Sequence, residues 1–416
     1  MPNQSRSSLS NLTPPLCLRN AALAAALLTA FFATTAAQAQ SFNVLYTFAG
    51  GSDGYYETGG VIRDSAGNLY GTTADGGDVS CVSPYGCGTV FKVDPSGNKT
   101  VLYNFTGGTD GGSPSAALIL DSAGNLYGTT YYGGYLACGV PSACGTVFKL
   151  DPSGNLTTLY RFTGVPDGAN PASTLIRDAK GNFYGTTAGG GNSACDDGLG
   201  CGTVFEISAA GKETVLYRFN GSDGEEPYAG VVRDSAGNLF GTTFAGGDPT
   251  CYCGTVFKVD TTGKETALHA FTGAPDGESP QAGLVADAKG NLYGVTNSGG
   301  RYGYSGTVFR VDPSGKENIL HSFNSPAGDG GFPSATLVRD PAGNLYGSTF
   351  LGGINDLGTL FKLDTSGKET ILYTFGSNPA DGNEPNGVTR DAEGNLYGAT
   401  FNGFAPVFGT VFKLVP

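Results

Sequence analysis

A seven-residue phrase recurs seven times along this chain with small changes. The first copy is GNLYGTT, Gly67 to Thr73, and the last is GNLYGAT, Gly394 to Thr400. The opening glycines fall at 67, 124, 181, 237, 290, 343 and 394, a spacing of 51 to 57 residues. That period is too long for a one-strand coil and fits a unit of four strands. Each unit holds four runs rich in Val, Leu, Tyr, Phe and Thr, the residues that pack well on a pleated surface. In the second unit these are AALILD (Ala116 to Asp121), NLYGTT (Asn125 to Thr130), GTVFKLD (Gly145 to Asp151) and TTLYRF (Thr157 to Phe162).

The joints alternate. DSAG (Asp64 to Gly67) and DPSG (Asp94 to Gly97) place Asp first and Gly fourth, a type I turn with a glycine free to turn left-handed. Strands one and two therefore form a tight hairpin, as do strands three and four. The other joints are long and Gly-rich. Seven four-stranded antiparallel units predict an all-β, seven-bladed β-propeller. The ends fit a ring. FNVLYTF (Phe42 to Phe48) reads as a fourth strand with nothing before it, and GTVFKLVP (Gly409 to Pro416) as a third strand with nothing after it. Together they complete one blade and leave no open edge.

Ahead of the first strand, Arg6 and Arg19 precede the apolar run Ala21 to Phe32, which is followed by the small-residue site Ala37 to Ala39. This pattern predicts a signal peptide over 1–39 and one propeller domain over 40–416. The apolar run is too short for a membrane span, which needs about 20 residues. The formal charge of the whole chain is −13, and removing the leader takes away two arginines and no acid. An acidic exported protein, extracellular or periplasmic, argues against nucleic acid as a partner. A monomer is expected.

Eight cysteines remain past residue 39, in four close pairs: Cys81 and Cys87, Cys138 and Cys144, Cys195 and Cys201, Cys251 and Cys253. An oxidising compartment favours local disulfides. The one-residue spacing of the last pair makes a strained bond. Zinc would want four ligands, and each repeat offers two.

The pattern D-x-x-G-N-L-Y-G-T-T, then G-T-V-F-K-L-D-x-x-G, then T-V-L-Y-x-F resembles the bacterial GloVer tandem repeat of exported choice-of-anchor proteins. The resemblance covers nearly all of the chain past the leader and implies export, without a defined chemistry. With Pro416 directly after a strand, no C-terminal anchoring segment is expected. The D-x-x-G-N-L-Y core is also similar to strands of gluconolactonase-like and streptogramin-lyase-like propellers, but the metal-binding acids or histidine of those enzymes have no matching constellation here.

Other motifs read as structural. GKET at Gly211, Gly263 and Gly367, and GKEN at Gly315, are hairpin turns with solvated charges. The two histidines, His269 and His321, stand where the other copies have Tyr46, Tyr103, Tyr160, Tyr217 and Tyr373, a packing position. Arg63, Arg177, Arg233, Arg339 and Arg390 precede the turn aspartate; salt bridges to neighbouring blades are expected, with a charged ring at a channel mouth as the alternative.

The functional signal lies in the long loops, which must all emerge on one face. They carry 18 acids and one base, Arg301. Every blade-to-blade loop contains Asp-Gly: Asp53, Asp110, Asp167, Asp223, Asp276, Asp329 and Asp381. These are turn residues first and candidate calcium ligands second, since calcium takes hard oxygens. The same face offers Tyr131, Tyr132, Phe244, Tyr302, Phe350 and Phe401 for stacking on sugar rings. The sequence thus predicts binding or scaffolding through an acidic face, with a glycan, calcium or a basic protein surface as ligand. The alternative is a metal-dependent lyase or hydrolase at the channel mouth.

Overall fold

The computed structural model describes residues 40–416 apart from 82, 83, 136, 137, 139–143, 194, 196, 197, 405 and 406. The expected leader, 1–39, lies outside the described residues. The fold is a seven-bladed β-propeller. Blade 3 shows the plan: Ile176–Arg177, Phe183–Thr187, Thr203–Ile207 and Glu213–Arg218 pair in that order, antiparallel throughout. Blades 1, 2, 4, 5 and 6 repeat it, with second strands Leu69–Asp75, Leu126–Thr130, Leu239–Thr243, Leu292–Thr296 and Leu345–Thr349. Blade 7 takes Asn383–Arg390, Leu396–Asn402 and Thr410–Val415 from the end of the chain, and its outer strand is Ser41–Thr47.

The recurring phrase locks each hairpin. In blade 1 the Asp64 carboxylate accepts from the Asn68 backbone N–H (2.8 Å), the Asn68 Nδ2 (2.7 Å) and the Tyr70 hydroxyl (3.1 Å). Asp121, Asp178, Asp287, Asp340 and Asp391 do the same with their own Asn and Tyr. In blade 4 Asp234 keeps the two bonds from Asn238, and Phe240 replaces the tyrosine. Partial burial raises the pKa of Asp64, but the bonds from Asn68 and Tyr70 outweigh it and hold the group below the usual carboxylate range. The glycine after Tyr has a packing reason: a Cβ on Gly71 would lie 2.6 Å from the Phe91 ring.

Seven buried clusters each join two adjacent blades. One joins Val90 and Phe105 of blade 1 to Leu126 and Phe148 of blade 2. Another joins Phe48, Tyr397 and Val411 of blade 7 to Leu69 and Phe91 of blade 1. At every one of these seven contacts the Phe after an outer strand meets the third-strand Phe of the next blade edge-on. Centroids are 5.0–5.5 Å apart, from Phe219 on Phe257 to Phe375 on Phe412. Such pairs add about 0.5–1.5 kcal/mol each beyond area burial.

The five arginines correct an expectation. Each guanidinium stacks over the second-strand tyrosine of the preceding blade, 5.3–5.6 Å from the ring centre, from Arg63 on Tyr397 to Arg390 on Tyr346. Among the described residues none of the five forms an ion pair. The tyrosine face provides a partner that a carboxylate was expected to provide. All four cysteine pairs are bonded, Cys251 to Cys253 included.

Candidate functional site

The first strands surround a central cavity of about 630 Å³. Its wall carries small and aliphatic residues, Ile176, Val231 and Leu284 among them, together with hydroxyl and amide side chains such as Thr58, Ser115, Thr174, Gln281, Ser334 and Asn386. Among the described residues no acid, base or histidine lines it. The hydroxyls of Thr58 and Ser115 are buried and make no hydrogen bond.

The rim of this cavity on the long-loop side is built by a strained turn repeated seven times. After each Asp-Gly one residue adopts φ between 52° and 57°: Tyr56, Ser113, Asn170, Glu226, Ser279, Phe332 and Glu384. Asn accepts that conformation readily; a bulky aromatic such as Tyr56 or Phe332 does so at a cost of order 1 kcal/mol or more. Hydrogen bonds impose it. Phe332 donates its N–H to Ser305 O (2.9 Å) and accepts at its own carbonyl from Phe350 N–H (3.2 Å). Ser113 is held in the same way by Cys87 O and Tyr131 N–H, at 2.8 and 3.0 Å. The residue after this turn is Pro in six repeats and Glu57 in the first. Glu57 is fully buried with neither carboxylate oxygen hydrogen-bonded. Burial pushes its pKa well up, offset only in part by the nearby Gly60 amide.

The strained turn presents the residue that follows the seven-residue phrase: Ala74, Tyr131, Ala188, Phe244, Asn297, Phe350 and Phe401. Phe350 and Phe401 line the cavity, and Phe244 packs edge-on against Tyr228, which lines it too (5.6 Å). Tyr56 stacks on Phe401, with centroids 4.7 Å apart and planes 13° apart. Three of the six predicted aromatics thus gather at the mouth, joined by Tyr56 and Tyr228, which sequence reasoning missed. Tyr131 and Tyr132 contact each other edge-on, and Tyr302 lies under Arg301; these three do not line the cavity. The signal for Tyr56 was its place two residues after an Asp-Gly.

The seven Asp-Gly carboxylates are held one per blade. Six accept from the outer-strand Tyr or His of the same repeat at 2.7–3.2 Å, from Tyr46 on Asp53 to Tyr373 on Asp381. The seventh, Asp223, accepts from Tyr217 at 2.5 Å. Each also accepts a backbone N–H, from Ala49 in the first case. The residue opposite each lies at the start of the outer strand of the next blade. At the first junction it is Lys99, whose buried Nζ lies 2.8 Å from Asp53 Oδ1.

At four junctions it is the glutamate of the GKE motif. These glutamates were expected to be solvated, and the structure corrects that: Glu213, Glu265, Glu317 and Glu369 are half-buried. Burial, and then the neighbouring aspartate, pushes the first three up to about 7. The same causes push Glu369 to about 9. The outer strand begins immediately after the turn lysine and runs against the preceding blade, so the glutamate turns inward. His269 with Asp276 and Glu317, and His321 with Asp329 and Glu369, form two compact three-residue clusters.

Among the described residues no helix is long and apolar enough to cross a membrane. No curated protein matches the chain. Two similar solved structures share the fold at low identity. One is the extracellular domain of the hybrid two component system BT4673 from B. thetaiotaomicron, 11% identical, TM-score 0.56, covering 89% of this chain and 39% of that one. The other is PorZ, a bacterial surface component of the type-IX secretion system of Porphyromonas gingivalis, 13% identical, TM-score 0.52, covering 86% and 46%. The chain therefore spans less than half the length of either. Two stretches, residues 28–198 and 195–412, match the Gloeobacter/Verrucomicrobia repeat, and together they take in all seven copies of the phrase. The chain belongs to the Gloeobacter/Verrucomicrobia repeat family.

Proposed function

We propose that this protein is an exported, monomeric binding propeller that takes a neutral glycan at the long-loop mouth of its central cavity. The observation that carries the reading is the uncharged cavity wall rimmed by Tyr56, Phe401, Phe350 and Tyr228. Sugar rings offer an apolar face for aromatic stacking and hydroxyls for the Thr, Ser, Asn and Gln of the wall. The rim turns are strained and backbone-anchored, so the aromatics are positioned before any ligand arrives. A basic partner or calcium is less well served, because the Asp-Gly carboxylates already accept several hydrogen bonds each. A metal-dependent enzyme at the mouth would want acids or histidine on the wall, where the lining residues are neutral. Four disulfides and the leader-like N-terminus support export.

The test is retention on an array of neutral and acidic oligosaccharides, comparing wild type with the double variant Phe350→Ala, Phe401→Ala. Neutral oligosaccharides should bind, and the variant should lose roughly tenfold in affinity, about 1.4 kcal/mol, with its melting temperature within a few degrees of wild type. Retention of acidic glycans alone, or neutral binding indifferent to both substitutions, would overturn the reading.

A further inference from the structure

The seven junctions on the long-loop face share one geometry and differ in one residue. An outer-strand Tyr or His and an Asp-Gly carboxylate come from one blade, and the residue opposite comes from the outer strand of the next. That residue is Lys99, Leu156, Glu213, Glu265, Glu317, Glu369 and, at the seventh junction, Phe42, which stacks on Tyr373 at 3.9 Å. The first junction shows what the position accepts. Lys99 Nζ sits against Asp53 and within 5.0–5.6 Å of the Tyr46, Phe48 and Phe91 ring centres, its side chain only 2% exposed. The position there is a seat for a cation, and the chain supplies the cation itself.

At two junctions the seat is built differently. The chain has only two histidines, and they take the tyrosine position at two of the four junctions where a glutamate stands opposite. His321 Nε2 is 3.2 Å from Asp329 Oδ2 and 3.8 Å from Glu369 Oε2. His269 Nε2 is 3.1 Å from Asp276 Oδ2, and Glu317 completes the group. Within each triad the three ligand atoms lie within 4.8 Å of one another. A tetrahedral ion with bonds of about 2.0–2.1 Å to nitrogen and oxygen has ligands about 3.3 Å apart, close to the His–Asp and His–Glu separations here.

The carboxylates are already oriented. Asp329 accepts the N–H groups of Asn324 and Gly330, and Asp276 those of Thr272 together with its hydroxyl. Each imidazole packs edge-on against its neighbouring phenylalanine, Phe271 or Phe323, at 4.8 Å. Oε1 of Glu317, Oε1 of Glu369 and Oδ1 of Asp276 are buried and accept no hydrogen bond. Ionised together in a half-buried place, two carboxylates this close repel, and a divalent ion reverses that sign.

We propose that the His269–Asp276–Glu317 and His321–Asp329–Glu369 triads are two divalent-metal sites of the zinc class, each bridging two adjacent blades and leaving a fourth position for water. Imidazole nitrogen with two carboxylates suits zinc and its neighbours, whereas calcium prefers six to eight oxygens. The sites are independent of the glycan reading, since neither triad lines the cavity.

The variants His269→Tyr and His321→Tyr test this, because each restores the residue that five other blades already carry. Chelator-treated full-length protein is titrated calorimetrically with zinc chloride, and its melting is followed with and without the metal. Wild type should bind two equivalents and melt several degrees higher with zinc. Each single variant should lose one equivalent, and the double variant both, with melting in chelator unchanged. Where a tyrosine variant fails to fold, Glu317→Gln and Glu369→Gln serve instead and should weaken zinc binding at least tenfold. No zinc binding by wild type, or two equivalents retained by the double variant, would overturn the proposal. Calcium chloride giving the same two equivalents with the same losses would overturn the zinc-class assignment.

Discussion

The hairpin face and the long-loop face of this propeller use the same scaffold in opposite ways. On the hairpin face Asp, Gly and Asn recur at every turn between first and second strands with the same hydrogen bonds, and tyrosine is replaced only at Phe240. On the long-loop face the backbone repeats as faithfully, down to seven φ values within 5° of each other, while the side chains diverge. The junction residue is Lys, Leu, Glu or Phe, and the rim residue is Ala, Tyr, Asn or Phe. Invariance marks what every blade needs in order to fold. Divergence at equivalent positions marks where the blades have separate work.

The largest effect should come from removing the strand on which both faces depend. Deleting residues 41–47 exposes the edge of Thr410–Val415 and uncovers Phe412. The product should aggregate and lose its cooperative melting transition; a monomer that melts as wild type would show that blade 7 holds without its outer strand. Next come the shared cores. Phe205→Ala and Phe361→Ala, both fully buried, should each cost about 3–5 kcal/mol by denaturant unfolding. Costs differing by more than about 2 kcal/mol would break the equivalence of the blades.

The junctions should behave unequally. Lys99→Leu leaves Asp53 facing an apolar side chain and should cost about 3 kcal/mol, although leucine is native at the next junction. Smaller is the hairpin turn, where Asp121→Ala and Asp287→Ala should each cost about 1–2 kcal/mol, with a difference between them of no more than about 0.5 kcal/mol. A larger difference would mean that the turns are less alike than their geometry.

The smallest expected effect is a matter of pH. Glu213 has its pKa raised in the fold to about 7, first by burial and then by Asp167. The folded chain keeps that proton after the unfolded chain has lost it, so stability falls as pH rises from about 4.3 towards 7. Glu213→Leu should match wild type at pH 4 and melt about 2 °C higher at pH 8, the shift being small because the group is half exposed. Equal melting temperatures at both values would show that the junction glutamate carries no such strain.

Much of this protein was legible in its sequence. D-x-x-G-N-L-Y-G contains its own turn, its own hydrogen-bond partners and, in its last glycine, the one that clears space for a phenylalanine, all within one blade. Strand count, blade count and the four cysteine pairs follow from such local patterns, because their partners are close along the chain. The tertiary structure alone decided the rest. Glu369 looked like a solvated turn charge until the ring placed it against Asp329, forty residues earlier in the preceding blade. Arginines expected to meet carboxylates found tyrosine faces. The aromatic rim draws Tyr56, Tyr228, Phe350 and Phe401 from four blades to one mouth. These contacts join residues of different repeats, and a repeat cannot state in its own sequence which side chain the next one turns towards it.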